Sequence, residues 1–486
     1  MTLKKIAKAA GQTIILVAAL MIAEGSLFMS TAADKTPVDM IVHGRYVVTM
    51  DDARRDDARG VIEGGAVAVK DGAIVAVGTD AEIAGAYSAK EEIAGDDRVL
   101  MPGLVNGHTH TAMTLFRGMA DDLELMTWLT KYIFPMEGRY VDPEFIRIGS
   151  ELACWEMIQS GTTSFVDMYF YPEEIAGVVD KCGLRAVITA PMIDYPSPGF
   201  GGWDDSFEAG VKFVKEWQGK NARITPGLAP HAPYTVSKEH LADVAKVAKD
   251  LGAPISIHIA EDKSELDTIS GKYEQTSIEE LSDVGMLDAQ VIAAHVVWPS
   301  GSDMKLVAGK SFAAIHNPTS NMKTGAGFSP VPKLLEAGVT VGLATDGAAS
   351  NNDLNMWDEI HLAALIHKGV ATDPTVLPAA TALDLATRMG AKAAGLEGVT
   401  GVLKPGLRAD MIQVSLDSLR MQPLYDVVSQ LVYVANQQDV VTTIVDGKLL
   451  MKDGKVLTIN EADLRARVLE ISARIRADVE KARAAE

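Results

Sequence analysis

Histidines and acidic residues end several short β-branched runs of this sequence, where they could bind a metal ion and transfer protons. His108 and His110 lie two residues apart in one such run, so both imidazoles point the same way if the run is extended. Three neutral imidazoles and one carboxylate suit Zn²⁺ or a similar ion and leave a position for water. A lone histidine on a strand is usually structural, but recurrence over separate runs favours a metal site. The candidates are His108, His110, His231, His258, His295, His316, Glu261 and Asp346.

The middle of the chain, about residues 100–400, must position these side chains. It alternates β-branched runs with amphipathic segments, such as 241–249 and 331–337. Eight βα units in a row predict a (β/α)₈ TIM barrel with right-handed crossovers. Catalytic residues of such a barrel lie at the C-terminal ends of its strands, which is where the candidates stand. The candidate strands cover residues 104–110, 162–167, 186–191, 224–230, 255–259, 291–295, 312–316 and 339–345.

Two shorter β-rich segments flank the predicted barrel. Residues 34–99 contain β runs around an Asp71-Gly72 turn, and residues 401–460 contain a similar pair around Asp446-Gly447. Because the two ends of a barrel lie close together, we expect both segments to form one small β-sandwich domain. A charged amphipathic helix is predicted for residues 461–486.

The first 33 residues differ in composition from the rest. Lys4, Lys5 and Lys8 precede an apolar run over 13–23, and small residues follow at 30–33. This order predicts a signal peptide and a periplasmic or secreted protein. The apolar run is short for a membrane span, which takes about 20 residues, but an uncleaved membrane anchor stays open.

Composition and charge restrict the partners of the chain. A net charge of -20 argues against nucleic acid, and no membrane contact is expected beyond the leader. The content of 48% apolar and 23% charged residues is typical of a globular enzyme. Cys154 and Cys182 stand in apolar contexts without metal-binding spacing, so we predict buried free thiols. A small-molecule substrate is the expected partner.

Five motifs follow one another along the chain: Met101-Pro-Gly-Leu-Val-Asn-Gly-His-Thr-His110, Pro230-His-Ala-Pro233, His258-Ile-Ala-Glu261, His316-Asn-Pro-Thr-Ser-Asn321 and Thr345-Asp-Gly-Ala-Ala-Ser-Asn-Asn352. By these motifs, residues 38–458 resemble the amidohydrolase superfamily. Within it, the sequence is similar to the 5′-methylthioadenosine/S-adenosylhomocysteine deaminases and to the chlorotriazine hydrolases. The resemblance implies a barrel hydrolase with a metal site, and the family's frequent oligomers make a homo-oligomer a further expectation.

The resemblance implies a single divalent metal ion at His108, His110, His258 and Asp346. Such an ion lowers the pKa of a bound water from about 15.7 to near 7. Asp346 would take a proton from that water, and Glu261 would protonate a ring nitrogen and help ammonia leave. His295 would hydrogen-bond the attacking oxygen. The predicted reaction is hydrolytic deamination of a heterocycle.

The fourth candidate strand bears on the number of metal ions. No lysine stands at its end, where two-metal relatives carry a carboxylated bridging ligand; His231 stands there instead. We therefore predict a single metal ion at the site. Zn²⁺ is favoured, although Fe²⁺ and Mn²⁺ can share such ligands. His231 resembles a substrate-contacting histidine of the family, with a supporting role behind the substrate contacts as the alternative.

The segment after the first strand bears on the substrate. In the deaminases, the residue matching Glu137 accepts hydrogen bonds from ribose hydroxyls, and the residue matching Trp128 covers the 5′ end of the sugar. Relatives that accept S-adenosylhomocysteine place arginines after the third strand, but no Lys or Arg occurs here between Arg185 and Lys212. We therefore predict an adenine nucleoside with a neutral 5′ group (5′-methylthioadenosine, 5′-deoxyadenosine or adenosine) over S-adenosylhomocysteine.

Two other functions are alternatives to this one. The first is deamination or dechlorination of a free heterocycle, such as a triazine, a pterin or a purine base. The second is a barrel that binds a metal or a ligand without catalysis. The presence of Glu261, His295 and Asp346 together disfavours the second, because a binding protein needs no proton transfer.

Overall fold

The computed structural model describes residues 35–54 and 60–483. The predicted leader at residues 1–33 lies outside the described residues. Export therefore stays a prediction, which N-terminal sequencing of the protein from its native host would test. Within the described ranges, no helix has both the length and the apolar character that a membrane span requires.

Eight parallel strands form a barrel in the middle of the chain, and each pairs with its neighbours in sequence. Nearly all of their residues are buried, as expected for parallel strands covered by helices. Asn106 joins the first strand to the turn after the last one, because its amide oxygen accepts from Thr345 N at 3.1 Å. The prediction of a (β/α)₈ barrel is confirmed. The first to eighth barrel strands are Leu104–Thr109, Thr162–Met168, Arg185–Met192, Ile224–Pro230, Ile255–Ile259, Val291–His295, Phe312–His316 and Thr340–Leu343.

Helices cover the outside of the barrel through one apolar face each. In the helix Lys238–Leu251, the buried residues Leu241, Val244 and Ala248 recur at helical spacing. This helix ends at Gly252, whose φ of +64° suits a residue without Cβ. The α-helices are Asp80–Ala86, Leu125–Trp128, Phe134–Tyr140, Pro143–Ser160, Pro172–Cys182, Trp203–Trp217, Lys238–Leu251, Lys263–Tyr273, Ser277–Asp283, Gly301–Val307, Pro318–Lys323, Val331–Glu336, Met356–Ala371, Ala379–Leu385, Arg388–Ala393, Val427–Tyr433 and Glu461–Arg483.

The N-terminal and C-terminal segments share one nine-stranded mixed sheet. The strand Arg98–Pro102 pairs antiparallel with Met411–Ser415, which joins the two segments as predicted. Val67 and Ile444, from distant strands of this sheet, contribute to one apolar cluster, and Ile41 and Ala66 contribute to a second. Its strands are Thr36–Val48, Val61–Lys70, Ala73–Thr79, Tyr87–Ile93, Arg98–Pro102, Met411–Ser415, Val440–Val445, Lys448–Lys452 and Lys455–Val456.

Two smaller features agree with the sequence. Cys154 and Cys182 are both buried free thiols. The structure has a C-terminal helix at Glu461–Arg483, which is attached to the barrel side by an ion pair of 2.8 Å between Arg467 and Glu151.

Candidate metal centre and active site

The C-terminal ends of the first and fifth barrel strands and the turn after the eighth bring four side chains together. Asp346 Oδ1 lies 3.4 Å from His108 Nε2 and 3.3 Å from His110 Nε2. His258 Nε2 lies 3.2 Å from His110 Nε2. His295 is close enough to form a second group of potential ligand atoms with His108 and His258. The side chains that the sequence singled out as metal ligands therefore surround one point.

The hydrogen bonds behind these imidazoles leave nitrogen lone pairs free for a cation. His110 Nδ1 lies 2.6 Å from the carbonyl oxygen of Met168, and His258 Nδ1 lies 2.8 Å from that of His231. A carbonyl only accepts, so both Nδ1 atoms carry a hydrogen, and in the neutral imidazoles both Nε2 atoms present a lone pair. His108 is 0% exposed, and neither of its ring nitrogens has a hydrogen-bond partner. A metal ion satisfies such a donor set.

Asp346 is held in the turn after the eighth strand by bonds to both of its carboxylate oxygens. Gly347 N donates to Oδ1 at 2.7 Å, while Ser320 Oγ and Ser350 Oγ donate to Oδ2 at 2.7 and 2.9 Å. Its φ of +64° is left-handed, a strained conformation for a residue other than glycine. Strain of this kind persists where the surroundings fix a functional side chain.

The protonation states at this point suit a cation. Burial lowers the pKa of His108 to about 4, so this imidazole is neutral at pH 7. Burial acts in the same direction on His110, but the contact with Asp346 outweighs it and raises the pKa of His110 to about 9. Burial would raise the pKa of Asp346, yet its contacts with His108 and His110 hold that pKa well below its usual range. The carboxylate of Asp346 is therefore ionised, and a bound cation would replace the proton that His110 Nε2 otherwise carries beside it.

Glu261, just after the fifth strand, and His295, at the end of the sixth, stand beside the metal candidates. Glu261 Oε1 lies 3.5 Å from His295 Nε2, and both side chains are buried. Burial raises the pKa of Glu261 to about 7, while His295 opposes this shift. The His295 ring is oriented from behind, because its Nδ1 lies 2.8 Å from Asn321 Oδ1. A carboxyl group with such a pKa can donate a proton near neutral pH.

A cavity opens above these residues, and the space inside it, including open solvent, is about 740 Å³. Its wall is apolar and aromatic away from the metal candidates. Among the described residues that line it, none is a lysine or an arginine. The lining includes His110, Met113, Leu125, Trp128, Leu129, Ile133, Phe134, Glu137, Met168, Tyr169, Phe170, Pro191, Ile193, His231, Tyr234, His258, Glu261, His295, Ser320, Thr324, Asp346 and Ser350.

Glu137, Trp128 and His231, which the sequence singled out for substrate contacts, all line this cavity. Tyr169 donates its hydroxyl to Glu137 Oε1 at 2.8 Å, and burial raises the pKa of Glu137 to about 7. His231 Nδ1 lies 2.9 Å from Thr235 Oγ1, which sets the orientation of its ring. All three side chains thus line the same cavity as the metal candidates.

Comparison with known proteins assigns the chain to a family. The profile of the amidohydrolase family matches residues 99–450, which is most of the chain. This chain belongs to the amidohydrolase family. Members of this family depend on metal ions, in agreement with the donor set around Asp346.

Individual relatives cover nearly the whole described part of this amidohydrolase. It is 46% identical to the 5′-deoxyadenosine deaminase of Methanosarcina mazei over 87% of this chain and 95% of that protein. It is 39% identical to the 5-methylthioadenosine/S-adenosylhomocysteine deaminase 1 of Syntrophus aciditrophicus, over 90% of this chain and 98% of that one. Both agree with the resemblance seen in the sequence motifs.

Solved structures show the same architecture. An adenosine deaminase from Xanthomonas campestris, crystallised with bound zinc, matches with a TM-score of 0.88 and 36% identity, covering 91% of this chain and all 100% of that one. The atrazine chlorohydrolase TrzN from Arthrobacter aurescens matches with a TM-score of 0.81 at 22% identity, over 89% of this chain and 100% of that one. At 22% identity, the similarity to TrzN shows a shared fold only.

Several supporting residues of the amidohydrolase site were not singled out from the sequence. Asp167 accepts from Thr111 N at 2.7 Å and so holds the chain beside His110. Both Asp167 and Tyr169 stand at or just after the end of the second barrel strand, a position that could have drawn attention to them. His316 also ends a strand, but it does not line the cavity, and its ring packs 5.2 Å from that of His367.

Proposed function

We propose that this amidohydrolase is a hydrolytic deaminase of an adenine nucleoside, using one divalent metal ion, with zinc favoured. Relatives named as deaminases of 5′-deoxyadenosine and 5-methylthioadenosine support the reaction and the substrate class. The bound zinc of the adenosine deaminase from Xanthomonas campestris supports the choice of metal. The observation that carries the proposal is the buried carboxylate of Glu137, which shares one cavity with Glu261 and Asp346.

Two side chains, Asp346 and Glu261, transfer the protons, and His295 assists with a hydrogen bond. When bound at His108, His110, His258 and Asp346, a divalent ion lowers the pKa of a water from about 15.7 to near 7 and so supplies a nucleophile. Asp346, ionised and fixed by two serine hydroxyls, orients the attacking water and takes up its proton. Glu261 donates its proton to the ring nitrogen beside the carbon under attack. His295 hydrogen-bonds the attacking oxygen. Asp346 then passes the proton taken from the water to the amino group, which leaves as ammonia, while the attacking oxygen gives its second proton to Glu261 and becomes a carbonyl oxygen.

Glu137 and Trp128 are the cavity residues that we expect to contact a ribose. A carboxylate can accept two hydroxyl donors at once, and both would favour the ionised form of Glu137. Tyr169 holds one oxygen of this carboxylate, so the side chain keeps its direction. Trp128 also lines the cavity and offers an apolar surface to the 5′ end of the sugar.

Glu137→Ala is expected to lower kcat/KM for 5′-deoxyadenosine by about 10²-fold, because hydrogen bonds to a charged group contribute about 1.5–3 kcal/mol each. The same variant should change the slower turnover of free adenine by less than about threefold, since the base lacks the hydroxyl groups. Steady-state ammonia release from both substrates measures the two effects. A kcat/KM for the nucleoside that stays within about threefold of wild type would instead favour a free heterocycle as the substrate.

Among adenine nucleosides, kcat/KM for S-adenosylhomocysteine is expected to be at least about 10-fold below that for 5′-deoxyadenosine or 5′-methylthioadenosine. No described lysine or arginine lines the cavity, so the amino-acid tail would lose its solvation without a cationic partner. A panel of nucleosides assayed for ammonia at equal enzyme concentration tests this order. The prediction fails if S-adenosylhomocysteine is the best substrate.

A further inference from the structure

The turn that carries Glu261 is held by a second carboxylate, that of Glu265. Glu265 Oε1 accepts from Ala260 N at 2.8 Å, and Oε2 accepts from Glu261 N at 3.1 Å. Ser277 Oγ donates to Oε1 as well. Glu265 is 2% exposed, so no bulk water can replace these bonds. One buried side chain thus fixes two successive peptide groups, including that of the proposed proton donor.

The backbone of this turn needs such support. Ala260 has a φ of +50°, a left-handed conformation that residues with a Cβ disfavour. Its carbonyl oxygen accepts from Val297 N and Trp298 N, both at 2.9 Å, which ties the turn to the segment after the sixth strand. Glu265 binds the N–H groups on the other side of the same turn. Without it, two buried N–H groups would lose their acceptors and the turn would be free to relax.

The reach of Glu265 departs from ordinary helix capping. It is the third residue of the helix Lys263–Tyr273, whose N-cap is Asp262. A carboxylate at this place usually bonds back to the N–H of the N-cap residue, as Glu279 does to Thr276 in the next helix. Glu265 bonds instead to residues further back, and one of them is Glu261. Its bonds therefore serve the turn at the active site.

We propose that Glu265 is a positioning residue for Glu261. This inference rests on the proposed function, in which Glu261 delivers a proton to the substrate ring. By fixing the peptide group of Glu261, Glu265 fixes the point from which that side chain reaches into the cavity. Proton transfer depends steeply on geometry, and a misplacement of about 1 Å can cost about 10²-fold in rate.

Glu265→Ala is expected to lower kcat by about 10²-fold, with KM within about twofold of wild type and an unchanged metal content. Glu265→Gln keeps one acceptor oxygen but turns an amide N–H toward the other peptide group. Its kcat should therefore fall between that of Glu265→Ala and that of wild type. Glu279→Gln alters a capping glutamate outside the cavity and should retain wild-type kcat. A kcat for Glu265→Ala within about twofold of wild type overturns the proposal. If Glu265→Ala does not fold, Glu265→Gln carries the comparison.

A double-mutant cycle separates positioning from general support of the fold. In the Glu261→Gln background, adding Glu265→Ala should lower kcat by no more than about twofold, because Glu265 acts through Glu261. A further loss of about 10²-fold in that background overturns the proposal. If Glu261→Gln alone keeps wild-type kcat, the proton-donor role of Glu261 fails, and the positioning role fails with it. The cycle therefore tells the failure of the inference from the failure of the proposed function.

Discussion

Dialysis against a strong chelator is expected to lower ammonia release from an adenine nucleoside by on the order of 10³-fold, because attack by unactivated water is slow. Added Zn²⁺ should restore it. Neither ring nitrogen of His108 has a hydrogen-bond partner, and Asp346 is held in place beside it. Metal analysis of the purified, stripped and reconstituted protein measures occupancy, and Fe²⁺ and Mn²⁺ are the comparison ions.

A pair of histidine variants controls this experiment. His110→Ala removes a candidate ligand and should lower both the metal content and the activity. His43→Ala removes a histidine of the terminal sheet, where it bonds to Asp80, and should change neither. The metal site is refuted if the protein retains full deaminase activity with no measurable metal, or if His110→Ala binds metal as wild type does.

Glu261→Gln is expected to lower kcat by about 10²–10⁴-fold, the usual contribution of a general acid or base. Glutamine matches the shape of glutamate but carries no proton that it can donate. KM and metal content should stay near wild-type values. Glutamine keeps the shape of the cavity lining, and the ligand set around Asp346 is unchanged. Steady-state kinetics with 5′-deoxyadenosine measure kcat and KM, and metal analysis measures the metal content.

The adjacent carboxylate supplies the control for this variant. Asp262 is the N-cap of the next helix, and its side chain accepts from Ser264 N. Asparagine caps a helix about as well as aspartate, so Asp262→Asn should keep wild-type kcat. A kcat for Glu261→Gln within about tenfold of wild type, in a metal-loaded protein, would contradict the role of Glu261 as the proton donor.

Much of the barrel could be predicted because its signals are local. The eight β-branched runs match the eight barrel strands to within a few residues at each end. Side chains two apart in a strand share a face, so the spacing of His108 and His110 was enough to pair them. The ends of parallel strands meet at one rim, which is why His258, His295 and Asp346 could be expected near that pair.

The contacts that fix the direction of each functional side chain were not visible in the sequence. Tyr169 donates a hydrogen bond to Glu137. Tyr169 follows the second barrel strand and Glu137 lies in the helix Phe134–Tyr140, and no periodicity in the sequence relates these two positions. Ala260 adopts a left-handed conformation although it is not a glycine, so the turn before Glu261 carried no local signal. The Asp262–Glu265 spacing is typical of a helix cap, whereas the carboxylate reaches back to Glu261.

The sequence by itself determined the strand order and the residue types at the barrel rim, because alternation and helical periodicity depend on neighbouring residues, and its five motifs indicated the family by resemblance. Only the tertiary structure decided which atoms face one another. Closure of the barrel, secured where Asn106 meets Thr345, brings the first strand beside the last turn and so sets His108 against Asp346. Distances of this kind depend on the packing of the whole barrel, which no short stretch of sequence encodes.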